Sequence, residues 1–188
     1  QILTAGMGQN PARQAAVGAG IPVEKTAYQI NQLCGSGLRT VALGYQAIQV
    51  GDSGIVVAGG QESMSQAPHV IRGARWGLSL GRGQLEDSLM VALTDSYCNL
   101  SMSDTAENLG KKYGITREAA DLYALLSQQR ADAAYKACRL KEEIVPVEVK
   151  SRKGTTLFAE DDHRRPETTL EGLAKLRAAF RKDSIEIG

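Results

Sequence analysis

Aromatic residues are scarce in this 188-residue chain: Phe, Tyr and Trp make up 5%, with one Trp and two Phe. A core built from it rests on aliphatic side chains and close backbone approach rather than on large rings. Charge of one sign is lacking too. Lys and Arg number 22 against 21 for Asp and Glu, a net charge of +1. That balance gives no global electrostatic reason to bind nucleic acid or an anionic membrane. No apolar run approaches the ~20 residues of a membrane span. Cysteines are few, Cys34, Cys98 and Cys138, and no pair has C-x-x-C spacing. With only His69 and His163 to join them, neither a metal site nor a disulfide framework is expected, and a reducing compartment fits best. For Cys98 and Cys138 the expectation is a small buried hydrophobe.

Glycine is plentiful at 20, and hydrophobic and charged residues stand at 43% and 23%. This is globular composition at a length of one large domain or two small ones. A domain near 150 residues buries roughly 70% of its unfolded surface, so a proper core is within reach. The chain opens on Gln1 directly in an apolar stretch and stops at Gly188 without a closing helix, as an internal portion of a longer protein would.

Local signals suggest an order of elements. Asn10, Pro11 and Gly20 frame a helix over 10–20. Residues 28–33 alternate as a strand does. Leu38, Val41, Ala42, Tyr45 and Ile48 then recur at helical spacing up to Gly51. Ile55-Val56-Val57-Ala58 is a short apolar run between glycines, the pattern of a strand covered on both faces. Strand, helix and strand in this span predict a βαβ unit and a parallel sheet. Residues 64–100 lose periodicity, as a functional or interfacial excursion does. Asp104 and Glu107, in capping-box spacing, open a helix to Tyr113. The clearest helix runs from Thr116 to Cys138, a strand with a proline covers 144–149, and Lys153-Gly154 turns into a partner over 155–158.

Cys34-Gly35-Ser36-Gly37 sits where the expected strand ends and the helix begins. A nucleophile on such a turn projects its reactive atom, and the glycines let substrate approach. The helix N-terminus favours a thiolate and offers free N–H groups to a developing oxyanion. A small residue chosen for helix–sheet packing is the other reading. Acyl transfer also needs a base, and neither histidine lies near in sequence.

Asn31-Gln32-Leu33-Cys34-Gly35-Ser36-Gly37-Leu38-Arg39 resembles the nucleophile segment of the thiolases. Gly8 to Ala16, Gly59-Gly60-Gln61-Glu62-Ser63-Met64-Ser65 with Ala67-Pro68-His69, Thr105 to Asn108, Glu143 to Pro146 and Ala174 to Arg177 resemble further family segments in the family's order. The resemblance implies an α/β, thiolase-like fold: part of the N-terminal βαβ-rich layered domain over 1–63, then the α+β loop domain over 64–188. It implies Cys34 as the acyl-accepting nucleophile, its backbone N–H serving the oxyanion. Leu93, Met102 and Arg165 fall on positions associated with CoA, Arg165 suiting the nucleotide end. A CoA thioester is then the substrate, with no metal and no separate cofactor, and the full-length enzyme is expected as a homodimer or homotetramer. The cytoplasm is the expected compartment, with mitochondrion and peroxisome left open.

Departures from the family pattern matter. Ser101-Met102 stands where short-chain thiolases typically have His-Met, and Gly172 where a CoA-contacting serine is often found. His69 reads as structural and His163 as part of a solvated charged run. The start of the first domain, the Gly-His-Pro histidine and the second catalytic cysteine are absent from these residues. The expectation is therefore a nucleophile without its base, negligible turnover for the chain alone, and exposed core surface at both ends. A longer-chain 3-ketoacyl-CoA thiolase, or a non-catalytic product acting as a CoA-binding or oligomerisation module, are the alternatives.

Overall fold

The computed structural model describes residues 1–181, and the chain forms two compact units, Gln1–Asn99 and Leu100–Gly188. The division expected from motifs fell after Ser63, so by contact the stretch 64–99 belongs with the first unit. Among the described residues no helix is long and apolar enough to cross a membrane.

In the first unit, α1 covers Pro11–Gly18, capped by Asn10, whose side chain accepts the Arg13 N–H. Helix α2 covers Ser36–Gln49. One face of α2 is made of small groups and lies along residues 56–60. Thr40 Oγ1 donates to the Gly59 carbonyl at 3.1 Å. A Cβ built on Gly44 would meet Val56 Cγ1 at 3.0 Å, and one on Gly60 would meet Gly37 Cα at 3.6 Å. At position 44 the helix approaches that segment so closely that Val56 must give by a few tenths of an ångström to admit a Cβ, which favours glycine.

The parallel sheet expected around α2 does not form. Neither 28–33 nor 55–58 is a strand. A strand exists only as a ladder with a neighbour, and among the described residues neither segment has one: the Gln1 amino group reaches the Ile30 carbonyl at 3.4 Å, a single bond that no ladder continues. The two sheets observed are antiparallel hairpins instead. Strands β1 (His69–Ile71) and β2 (Leu85–Asp87) pair His69 with Asp87, and β2 leads into the short helix α3, Ser88–Ala92.

In the second unit, α4 covers Met102–Tyr113 and α5 Arg117–Lys136. The cap of α4 is Ser101 rather than Asp104. Ser101 has the extended backbone that a cap requires, and its Oγ accepts the Asp104 N–H, while Asp104 lies inside the first turn. Gly114, at φ 65, ends α4. Strands β3 (Val147–Ser151) and β4 (Gly154–Phe158) form the second hairpin. It begins after Pro146 rather than at 144, since proline cannot donate to a ladder. Arg117 fastens α6 (Leu170–Ala174) to α5: its guanidinium donates to Asp121 Oδ1 at 2.8 Å and to the carbonyls of Leu173 and Leu176. Those carbonyls lie at the end of α6, where helical partners run out.

Among the described residues Pro11 is buried but no Ala, Val, Ile, Leu, Met, Phe, Tyr, Trp or Cys is, and the chain leaves 15240 Å² accessible. A folded monomer of this mass exposes about 8,700 Å² by the usual scaling. The excess is apolar in identifiable places. Leu38, Val41, Tyr45 and Ile48 line a second face of α2 and are 80, 54, 64 and 44% exposed. Exposed core surface is expected at both ends; among the described residues exposed apolar side chains occur throughout both units, and the helix that carries the nucleophile corner bears four of them.

The close approach of α2 to residues 56–60 predicts opposite effects at two glycines. Gly44→Val forces the two segments apart and lowers stability by about 1–3 kcal/mol. Gly37→Ala, whose Cβ meets nothing within 4 Å, raises it by up to about 1 kcal/mol. Urea unfolding midpoints of the two variants check both signs.

Candidate active site

The segment entering α2 closes on itself through short-range hydrogen bonds. Asn31 Oδ1 accepts the Leu33 N–H at 3.0 Å. Ser36 Oγ accepts the Gln32 N–H at 2.9 Å and donates to the Leu33 carbonyl at 2.6 Å. The N–H groups of Gly35 and Ser36 donate to the carbonyls of Gln32 and Leu33 at 3.2 and 3.0 Å. Leu33 is thereby held at φ 51, a left-handed conformation that a leucine adopts only when its surroundings impose it. Ser36, the hub, is 6% exposed.

From Gln32 to Ser36 the backbone N–H groups are satisfied at every residue but Cys34. Those of Gly37 and Leu38, in the first turn of α2, have no partner among the described residues either. The Cys34 side chain is exposed. An accessible thiol therefore stands beside unspent N–H donors at the positive end of a helix dipole, the ingredients for attack on a carbonyl and for holding the resulting oxyanion. Among the described residues no titratable side chain is hydrogen-bonded to Cys34 Sγ. His69 lies in β1 and His163 is exposed.

The other predicted contacts fall in both units. Leu93, in the first, ends α3; its N–H donates back to Leu89 and Met90, and its side chain is 39% exposed. Met102, in the second, opens α4 and is half-exposed. Arg165, also in the second, is exposed; its backbone N–H donates to Gln128 Oε1 at 2.7 Å. Its neighbour Arg164 is turned inward, paired with Asp132 at 2.7 Å and stacked 4.2 Å from the Tyr135 ring centroid. That clamp holds the charged run against α5. The Asp132 carboxyl lies below its ordinary value because Lys136 and, beyond it, Arg164 favour the anion. The Tyr135 hydroxyl is pushed up by partial desolvation and by nearby Glu160. Within each unit no hydrogen bond joins the predicted residues it holds.

Two cysteines depart from expectation: Cys98 and Cys138 are exposed, not buried. Cys98 sits in a turn organised by Asp95, whose carboxylate accepts the N–H groups of Tyr97 and Cys98 and is held below its ordinary value by the Tyr97 bond above all. Cys138 turns the chain just past α5 at φ 55. Both serve turns rather than packing. Sequence reasoning assigned no role to Asn31 or Ser36, although both stand in the nucleophile motif. Their signal was a pair of short polar side chains five residues apart across the turn, a pattern that suits side-chain-to-backbone closure. Among the described residues no group of three His, Cys, Asp or Glu is placed to hold a metal ion.

Comparison with known proteins places this geometry. The family model for the thiolase N-terminal domain matches residues 1–185. The acetyl-CoA acetyltransferase of Pseudomonas aeruginosa is 53% identical over 97% of this chain and 47% of its own length, and that of Chromobacterium violaceum is 54% identical over the same shares. Among solved structures, human mitochondrial 3-ketoacyl-CoA thiolase in complex with CoA superposes with a TM-score of 0.90 at 44% identity, over 99% of this chain and 46% of that one. The chain spans about half the length of the curated relatives it matches. The α/β, thiolase-like fold expected from sequence is thus the observed one, even though its parallel ladder is not formed among the described residues.

The start of α4 carries a pH prediction. The Asp104 carboxyl is held below its ordinary 3.8, first by the Ser101 hydroxyl and then by Arg181, whose guanidinium lies 2.6 Å away. A depressed carboxyl adds stability that is complete above the ordinary value and lost as pH falls through the folded one. Asp104→Asn removes that titration. The gap between urea midpoints at about pH 7 and about pH 3 is expected to narrow in the variant.

Proposed function

This chain belongs to the thiolase family, and on that premise we propose that the complete protein is an acyl-CoA acyltransferase that works through Cys34. The observation that carries the reading is the corner itself: an exposed thiol next to the one backbone N–H from Gln32 to Ser36 that has no partner among the described residues.

The chemistry follows from that arrangement. The Cys34 sulfur, as thiolate, forms a bond to the thioester carbonyl carbon, and the carbonyl electron pair moves onto oxygen. The Cys34 N–H donates to that oxyanion. When the oxyanion collapses, the bond to the CoA sulfur breaks and CoA leaves as a thiolate, which takes up the proton that Cys34 gave to the base. In condensation the acyl group then passes to the carbanion of a second acetyl-CoA to give acetoacetyl-CoA. In cleavage the sulfur attacks the 3-keto carbon of a 3-ketoacyl-CoA instead, the C2–C3 bond breaks, acetyl-CoA leaves as its carbanion and takes up a proton, and the acyl group passes to CoA. The base for the first proton and the acid/base for the second step lie outside these residues, in keeping with the missing partner for Cys34 Sγ.

Acetyl and acetoacetyl thioesters are the proposed substrates, since the curated relatives at 50–54% identity are named acetyl-CoA acetyltransferases. CoA is held in this reading by Leu93, Met102 and Arg165. Exposure of Arg165, with its neighbour Arg164 pinned to α5, leaves a guanidinium free for phosphate or for a flat ring. Longer acyl chains are the second reading. The Ser101 hydroxyl is occupied by the Asp104 N–H, the Asp104 carboxylate and Ser103, so it does not stand in for the histidine of short-chain thiolases. An assembly of two or four subunits is proposed as well. It is supported by the loop between β1 and β2, where Trp76 and Leu80 are 90 and 105% exposed, the composition of a surface meant to be covered. A reducing, cytoplasmic setting is part of the same proposal.

Incubation of the complete protein with acetyl-CoA is expected to leave one acetyl group on Cys34, read by intact mass and peptide mapping, and Cys34→Ala is expected to abolish it. An adduct that persists in Cys34→Ala, or that maps elsewhere, overturns the assignment. Arg165→Ala is expected to raise KM for CoA severalfold with kcat little changed. The 188 residues alone are expected to show no steady cleavage of acetoacetyl-CoA by CoA.

A further inference from the structure

The carbonyl of Leu33 and the N–H of Cys34 belong to one peptide group, and that group is held from one side only. The Leu33 oxygen accepts two hydrogen bonds, from Ser36 Oγ at 2.6 Å and from the Ser36 backbone N–H at 3.0 Å. A trans peptide is planar with its N–H and C=O pointing in opposite directions. Fixing the oxygen toward Ser36 therefore fixes the Cys34 N–H away from it, in a residue that is itself exposed. Two donors on the oxygen also polarise the amide and make its N–H a stronger donor, as neighbouring hydrogen bonds in a chain do.

The Ser36 hydroxyl does more than cap a turn. It accepts the Gln32 N–H at 2.9 Å while donating to the Leu33 carbonyl, so one oxygen ties the Asn31–Gln32 peptide to the Leu33–Cys34 peptide. Asn31 Oδ1 takes the remaining Leu33 N–H. Leu33 rests at φ 51, from which rotation of the following peptide would turn the Cys34 N–H out of line. Ser36 is 6% exposed, so water does not readily replace its bonds.

The geometry points to Ser36 as a positioning residue for the Cys34 oxyanion donor, with Asn31 in support. This rests on the acyl-transfer reading above and adds to it a residue that never touches substrate. Ser36 acts on the step that develops negative charge on oxygen. It has no part in a reaction of the same sulfur that develops none.

Two reactions at Cys34 separate these cases: acetyl transfer from acetyl-CoA passes through an oxyanion, whereas alkylation by iodoacetamide displaces iodide at a saturated carbon. In the complete protein, Ser36→Ala is expected to slow acetyl transfer about tenfold or more, less than the ~10²–10³ of deleting an oxyanion donor outright. Alkylation is expected to change less than about twofold. Ser36→Thr, which keeps the hydroxyl, is expected to restore the acetylation rate. Asn31→Ala, at an exposed position, is expected to shift the ratio of the two rates the same way by a smaller factor, and it carries the test if Ser36→Ala does not fold. Equal slowing of both reactions marks a merely structural role and overturns the inference. So does an unchanged ratio in Ser36→Ala and Asn31→Ala. A wild-type protein that accepts no acetyl group overturns the acyl-transfer reading and this inference with it. A wild type that does, matched by Ser36→Ala, overturns the inference alone.

Discussion

The first unit depends on how closely α2 can lie against residues 56–60. That distance is set by what the helix lacks on one face. Gly37, Thr40 and Gly44 follow one another along it, and a Cβ on Gly44 would stand 3.0 Å from Val56 Cγ1, tight enough that Val56 would have to yield. Thr40 adds one hydrogen bond to the Gly59 carbonyl, which fixes the sliding register as well as the spacing. Because Gly60 then lies against Gly37, the start of the helix, and with it the Cys34 corner, has a fixed neighbour. A larger residue at position 44 would act on the corner through this contact without touching it.

The same helix is apolar on a second face, and that face is bare. Burying a leucine or isoleucine is worth about 1.5–3 kcal/mol, so Leu38, Val41, Tyr45 and Ile48 represent stabilisation that the described residues do not collect. The second unit is held differently, by charged side chains that tie elements together: Arg117 across α5 and α6, Arg164 onto Asp132 and Tyr135, Arg181 onto Asp104. Pairs at a surface contribute little each, up to about 1 kcal/mol. They specify where α6 and the 160–165 run lie more than they stabilise them. Both units therefore have their arrangement specified while much of their apolar surface waits to be covered.

What was legible in the sequence follows from how far apart the interacting residues lie. Helices α1, α2, α4 and α5 were readable because caps and stripes act within a few residues: Asn10, Gly51, Gly114 and Thr116 each did locally what their type does. Ser101 was overlooked in favour of Asp104, since both are capping types three residues apart and only backbone conformation separates them. The segments 28–33 and 55–58 read as strands because their side chains carry the pattern, yet a strand also needs a neighbour, which no pattern within the segment supplies. Cys98 and Cys138 read as buried from residue type alone, and turn geometry placed both outside.

The candidate site divides along the same line, which explains why one part of it is complete and another is not. Every bond that shapes the Cys34 corner spans five residues or fewer, from Asn31 to Ser36. Such a motif forms when its own residues meet, at small loop-closure cost, and does not need the apolar faces to be covered. The donor proposed for the oxyanion is therefore prepared by local chemistry. The proton acceptor for the thiol is not: no residue within reach of the corner in sequence supplies it, and His69 and His163 are committed to a hairpin and to a solvated run. In the reaction proposed above, donor and base are therefore set by different means: the donor by six neighbouring residues, the base by chain beyond them. Leu38, Val41, Tyr45 and Ile48 are bare on the helix that begins at the corner, so a segment that covered them would gain the burial energy and would lie along the helix that starts at the proposed nucleophile.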